Sequence, residues 1–473
     1  MKKFYLTTPI YYVNAKPHIG HAYTTLAADV LARYQKKTNP DAEIFFLTGT
    51  DEHGTKIAQA AQKSGQSEQA FCDSVSGEFQ EAWKKLEIDY DYFIRTTSEA
   101  HKNFASDILV KLKEKGYLVE DSYKGYYCAG CEAFKNKREL EKGNICPDHK
   151  TKCEFISEKA WFFKLSEFEN KVRDLIERDE IQILPIERKH EVLGFLKQGL
   201  ANVAVSRQKV EWGIPLPWDK SQTIYVWIEA LLNYLSALEI NHKENLWPAD
   251  LHLMSKDILR FHSVIWPALL LALEKELPKK IFVHGYFTIN GQKMSKTIGN
   301  VISPDELVKR YGADAARYLI LTEVVFGADG DISLEKLDKR YNSELADNLG
   351  NLLNRTLAMI SKYNLEKPDN WRPELEIEIK KEISEFNFQA AGNHIFEFIA
   401  KANQKIDKTK PWEMFKLGKK AELENLFFDP QEGILSVLIA VAKAIDIFMP
   451  STSKKILVQI ESGKPKPLFE KIK

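Results

Sequence analysis

The sequence predicts an α/β fold class: a parallel sheet in two halves, split by an insertion and followed by a C-terminal α-helical bundle. Three observations predict it. Apolar, β-branched runs alternate with helix-period stretches in the first hundred residues and again from 223 to 290. Between them lies a polar stretch holding four of the five cysteines. From Ser303 onward the chain reads as helical and no longer strand-bearing. At 473 residues it is too long for one core, so two to four domains are expected.

Phe4-Tyr5-Leu6-Thr7-Thr8 reads as a buried strand. Pro9 and Pro17 bound an irregular segment that does not suit a central strand. Leu26, Val30, Leu31 and Tyr34 then recur at helical spacing, which predicts a helix from Gly20 to about Gln35. Gly20 lets a ligand approach the backbone at that helix start, and a helix N-terminus suits a phosphate. His18 and His21 on the entry turn can each donate to phosphate oxygens, or merely cap the helix. Glu43-Ile44-Phe45-Phe46-Leu47 is a second strand, followed by a polar turn to Gly54 and a helix from Thr55 to about Ser64. Ligands sit at the carboxyl ends of such strands, so Asp51 is placed to meet an ammonium group or to cap the helix.

Residues from about Arg95 to Gln222 break the rhythm and read as the insertion. It holds Cys128-Ala-Gly-Cys131, Cys146-Pro-Asp-His149 and Cys153. A cluster of this kind points to metal rather than disulfides in a cytosolic protein, and paired x₂ spacing suits tetrahedral zinc. Cys128, Cys131, Cys146 and His149 are the preferred ligands, with Cys153 an alternative to His149. Four protein ligands leave no open position, so the zinc is expected to be structural. Cys72 reads as a core residue.

Thr223 to Trp227 reads as a strand, Glu229 to Leu238 as a helix, Leu251 to Met254 as a strand, Asp257 to Leu273 as a helix and Lys280 to His284 as a strand. Lys293-Met294-Ser295-Lys296-Thr297 lies in a polar, glycine-flanked stretch, which suits either a solvated surface loop or a loop closing on a polyphosphate. Asp314 to Thr322 and Leu334 to Lys362 open a run of long helices.

His-Ile-Gly-His at 18–21 with Lys-Met-Ser-Lys-Thr at 293–297 is rare by chance. The pair resembles the signatures of class I aminoacyl-tRNA synthetases. Thr8 to Asn14, Leu47 to Gly54, Trp212-Gly213-Ile214-Pro215, Tyr225-Val226-Trp227, Lys256-Asp257-Ile258, Phe261-His262-Ser263 and Lys410-Pro411-Trp412 are similar to the methionyl-tRNA synthetase family in particular. The resemblance covers essentially the whole chain. It implies a Rossmann-like sheet split by a zinc-knuckle insertion, divided as 1–95 (first catalytic half), 96–222 (insertion), 223–290 (second half), 291–342 (lysine loop and stem contact) and 343–473 (anticodon-binding bundle). It implies catalysis by His18, His21, Lys293 and Lys296, and ATP binding by His18, Gly20, His21, Lys296 and Thr297. It implies a methionine pocket of Ile10, Tyr12, Asp51, Trp227, Ala230, Tyr234, Ile258, His262 and Trp266, with Asp51 on the amino group. Asn351, Arg355 and Trp412 would contact the anticodon. Glu229 stands where the family more often has aspartate, and Thr297 where it has serine.

The implied activity is a methionine–tRNA ligase using ATP with Mg²⁺ and charging initiator and elongator tRNA(Met); the other reading is a catalytically silent tRNA-binding paralogue. The formal net charge is zero, which argues weakly against a non-specific nucleic-acid binder. No apolar run is long enough to span a bilayer and Met1-Lys2-Lys3 leads straight into a strand, so a cytoplasmic protein is expected. A monomer is expected because no appended dimerisation module follows the bundle.

Overall fold

The computed structural model describes residues 2–128, 133–135, 137–147, 150–208, 210–289, 291–294 and 301–472. They form two compact units. The first comprises 1–17, 38–81 and 89–284; the second comprises 18–37, 82–88 and 285–473.

The first unit is built on a six-stranded sheet of β1 (Lys3–Tyr12), β2 (Glu43–Asp51), β3 (Tyr92–Arg95), β4 (Gln182–Leu184), β5 (Leu251–Ser255) and β6 (Lys280–His284). The order is β3-β2-β1-β5-β6-β4, and every pair is parallel. The strand order reverses direction between β1 and β5, which makes their carboxyl ends the place for a ligand crevice. The central strands are apolar because helices and loops cover both faces. Tyr5, Leu6, Phe46, Leu47, Leu253 and Ile281 are all buried. Gly49 permits the approach of β3, since a Cβ there would lie 2.1 Å from the Ile94 carbonyl oxygen.

Several expected elements differ. β1 does not stop before Pro9 but runs through it to Tyr12, with its register against β2 shifting between Thr7 and Ile10. The irregularity absorbs the proline's missing N–H, which a regular ladder would need. Thr223 to Trp227 is a strand only at Thr223 and Ile224, and it lies outside the main sheet. Asp219–Ile224 pairs antiparallel with Pro215–Leu216 and Ser206–Arg207 in a small separate sheet, and a helix begins at Val226. Gln182–Leu184, inside the stretch expected to stand apart, forms the edge strand β4. Asp257 to Leu273 is a 3₁₀ turn (Lys256–Ile258), a π-helix (Phe261–Ile265) and an α-helix (Trp266–Ala272). The insertion's main feature is an antiparallel pair, Leu118–Cys128 with Glu154–Phe163.

The second unit begins with α1 (Ile19–Thr38). It is mostly helical, yet the chain after Ser303 does contain a strand, Gly330–Ile332, parallel to Phe287–Ile289. Helices Ala313–Thr322, Phe388–Thr409, Ile434–Ile445 and Pro450–Ser462 follow. Residues 334–362 are helical throughout, with a π segment at Tyr341–Gly350. Arg317 is fully buried in this unit. Its guanidinium donates to Asp29 Oδ2 of α1 (2.5 Å), the Leu86 carbonyl (3.0 Å) and the Phe448 carbonyl (2.9 Å). A buried charge needs such a full set of acceptors. Among the described residues no helix is long and apolar enough to cross a membrane.

Candidate active site

The expected methionine-pocket residues all belong to the first unit, near the carboxyl ends of β1, β2 and β5. Tyr12 and Asp51 are register partners at the ends of β1 and β2. The Asp51 carbonyl accepts from Val13 N–H (3.1 Å), and Asp51 is buried. Trp227, Ala230 and Tyr234 come from helices Val226–Leu231 and Asn233–Ile240. Ile258, His262 and Trp266 follow β5. His262 lies in the π-helix, a distortion often found at functional sites.

Aromatic contacts knit these residues together. Trp227 stacks on Phe261 at 3.8 Å and 10°. Tyr234 lies 5.8 Å from Trp266 and 4.4 Å from His252, ring centre to ring centre. The hydrogen bonds imply the Nδ1–H tautomer for both imidazoles. His262 Nδ1–H donates to the Ile258 carbonyl (3.0 Å), so Nε2 accepts from the Tyr234 hydroxyl (2.7 Å). Trp266 N–H donates to His252 Nε2 (3.3 Å), so His252 Nδ1–H donates to Thr7 Oγ1 (2.7 Å). Burial lowers the His262 pKa to about 4 and holds His252 well below the usual range. The cluster of Tyr234, His252, His262 and Trp266 is thus aromatic and uncharged, and Asp51 is the carboxylate expected beside it.

His18, Gly20 and His21 belong to the second unit, at the head of α1. The His18 and His21 rings stack at 3.7 Å. His18 N–H donates to His21 Nδ1 (3.2 Å), and Gly20 N–H donates to His18 Nδ1 (3.1 Å). With Nδ1 accepting, each neutral ring carries its proton on Nε2, which is the donating atom for an anion. A Cβ on Gly20 would lie 3.0 Å from His18 Cε1, and 3.7 Å from Met294 Cε of the lysine loop. Lys293 ends the short strand Gln292–Lys293; Lys296 and Thr297 lie outside the described residues.

Cys128, Cys146 and Cys153 are buried together in the insertion, whereas Cys131 and His149 lie outside the described residues. Burial, then Cys128 and Cys146, pushes the Cys153 thiol up to about 11. Among the described residues no metal-holding group of three donors is present. Cys72 is buried, as expected of a core residue.

In the bundle, Asn351 and Arg355 lie one turn apart on Asn351–Lys362. Arg355 is already engaged, donating to Asp407 Oδ1 and to the Asn403 carbonyl, both at 3.0 Å. Trp412 is 43% exposed.

Sequence reasoning missed one cluster. Glu229, on the pocket helix, accepts from His53 Nδ1 and His101 Nε2, both at 2.9 Å. Its sequence signals were a lone Glu in an apolar run and the departure there from the family's more usual aspartate.

A family model described as tRNA synthetases class I (M) matches residues 4–154 and 144–357. The chain is 42% identical to the methionine–tRNA ligase of Thermotoga maritima, over 99% of this chain and 76% of that protein. It is 39% identical to that of Nostoc sp., over 98% of this chain and 90% of that protein. The chain belongs to the methionine branch of the class I tRNA synthetases. Among solved structures, Mycobacterium tuberculosis methionyl-tRNA synthetase in complex with methionyl-adenylate superposes with a TM-score of 0.89 at 31% identity, over 99% of this chain and all of that one. For a synthetase of this branch, the uncharged aromatic cluster and the stacked histidines at the head of α1 are the two features that need a chemical account.

Proposed function

We propose that this class I synthetase activates L-methionine with ATP to methionyl-adenylate and transfers it to the 3′ end of tRNA(Met), acting in the cytoplasm as a monomer. The observation that carries the reading is the buried, uncharged aromatic cluster of Tyr234, His262 and Trp266. A thioether gains about 0.3–1.5 kcal/mol from each aromatic contact of this kind. Asp51 takes the amino group, and Ile10, Tyr12, Trp227, Ala230 and Ile258 complete the walls.

In the first step a methionine carboxylate oxygen attacks the α-phosphorus, the bond to the β-phosphate breaks, and pyrophosphate leaves. His18 and His21 donate from Nε2 to the phosphates, and Lys293 and Lys296 neutralise charge growing on the leaving group. Gly20 keeps the helix start open to ATP, and Thr297 adds a hydroxyl. Mg²⁺ accompanying ATP supplies further neutralisation of the polyphosphate. In the second step the terminal ribose hydroxyl attacks the acyl carbon and AMP leaves. No protein nucleophile is needed, because the carboxylate and the ribose hydroxyl fill that role.

Asn351 and Arg355 would read anticodon base edges, with Arg355 exchanging Asp407 for the base, and Trp412 would stack a splayed base. The soft thiol cluster supports a structural zinc on Cys128, Cys131, Cys146 and His149, with Cys153 as the alternative fourth ligand. The division into two catalytic halves, insertion, stem-contact region and bundle is part of the same reading.

Amino-acid-dependent ATP–pyrophosphate exchange tests it, with methionine, isoleucine, leucine, valine and cysteine run in parallel. Exchange with methionine alone is expected. Exchange with another amino acid overturns the pocket, and exchange with none favours a silent tRNA-binding role.

A further inference from the structure

Glu229 is a buried carboxylate that the proposed chemistry does not use. Its two oxygens reach two different elements. Oε1 accepts from His53 Nδ1–H (2.9 Å), on the turn that follows Asp51. Oε2 accepts from His101 Nε2–H (2.9 Å), on helix Glu99–Glu114. His101 Nδ1 then pairs with the Ser236 hydroxyl (2.7 Å), on helix Asn233–Ile240. All four side chains are buried. Each ring therefore gives one N–H to the same carboxylate. Burial alone would raise the Glu229 pKa, but the two histidines outweigh it and hold it below the usual value.

The chain's geometry gives this cluster a task. Glu229 sits between Trp227 and Ala230 on one helix, two residues from the first and next to the second. His53 sits two residues after Asp51. The same turn is held on its other side, where Gly54 N–H donates to the Trp212 carbonyl (3.0 Å) and Arg95 Nε donates to Glu52 Oε1 (2.7 Å). A carboxylate at 229 thus ties the turn that presents the ammonium-binding aspartate to the helix that presents the aromatic wall. One methylene less would retract the carboxylate by a bond length, and it would lose one ring or the other.

We infer that Glu229, acting through His53 and His101, is a positioning residue that sets the distance between Asp51 and the Trp227–Ala230 wall and so governs affinity for the amino-acid substrate. This rests on the methionine-pocket reading given above. It goes beyond it by naming groups that do not touch substrate.

Pyrophosphate exchange on the full chain decides it, with the Michaelis constants for methionine and ATP measured separately. Glu229→Gln keeps the shape and one acceptor; Glu229→Ala removes both. The methionine KM is expected to rise about tenfold for Gln and further for Ala, the loss of one or two charge-assisted hydrogen bonds being partly spread over the shell. The ATP KM stays within about twofold, because no ATP-binding group is disturbed. Glu229→Asp falls between wild type and Gln. If Glu229→Ala does not fold, the Gln and Asp variants decide alone. Equal rises in both constants, or an unchanged methionine KM in folded variants, overturn the inference. Failure of the wild type to exchange with methionine would instead overturn the pocket reading beneath it.

Discussion

His252 and His262 are buried and commit both ring nitrogens to protein partners, whereas His18 and His21 are half-buried and take backbone amides at Nδ1. The first pair is therefore packing: its protons are fixed by Trp266, Tyr234, Thr7 and a carbonyl, and its charge is suppressed by burial. In the second pair the backbone amides occupy Nδ1, which puts the proton of each neutral ring on Nε2. One residue type thus serves a buried aromatic cluster and the head of a helix, and the neighbours, not the imidazole, decide which.

That contrast can be broken from either side. The largest effect is expected from Trp266→Ala, which empties a fully buried site and costs about 3–5 kcal/mol of folding stability in urea titration. Methionine KM rises with it, while the ATP constant moves little. Lys296→Ala attacks the other side. Adenylate formation slows by about 10²–10³-fold with methionine affinity retained, if its contact forms mainly in the transition state. An unchanged single-turnover rate would remove Lys296 from the mechanism. Gly20→Ala is smaller: the new methyl must displace the His18 ring 3.0 Å away, costing about 1–3 kcal/mol by overpacking. That loss is expected in the ATP-dependent rate, with the methionine constant unmoved.

The mildest test is pH. His262 titrates near 4 in the folded protein, below the ordinary value of 6.5. Between those values the unfolded chain binds the extra proton, so stability falls as pH drops from about 6.5 toward 4. The slope is about 1.4 kcal/mol per pH unit for one such histidine. His252, also lowered, adds to it in the same direction. Glu229 works in a lower window, losing its contribution only as pH falls below the ordinary 4.5. Urea midpoints at pH 5 and 7 check this, and His262→Gln is expected to flatten the difference.

The sheet was legible where runs were apolar, flanked by turns and long enough, as in Glu43 to Leu47 and Lys280 to His284. It was illegible in β4, where three residues, Gln182–Leu184, pair only at an edge and carry too little periodicity. Pro9 misled because a register shift accommodates it, and shifts leave no mark in composition. Tyr225-Val226-Trp227 has strand composition, yet packing places a helix start there, which is tertiary context overriding propensity. The grouping of His18, Gly20 and His21 was visible in the sequence because all three lie within four residues. That of Glu229, His53, His101 and Ser236 was not, because their closeness is made by folding across up to 176 residues.

Arg317 has a consequence for how the chain is made. Its acceptors include Asp29, 288 positions earlier, and the Phe448 carbonyl, 131 positions later. During synthesis the guanidinium leaves the ribosome long before residue 448 exists. Until then it must stay hydrated, and the surfaces that will enclose it must stay apart. The second unit is therefore expected to close late and in one step, and fragments ending before residue 447 should be protease-sensitive from α1 onward.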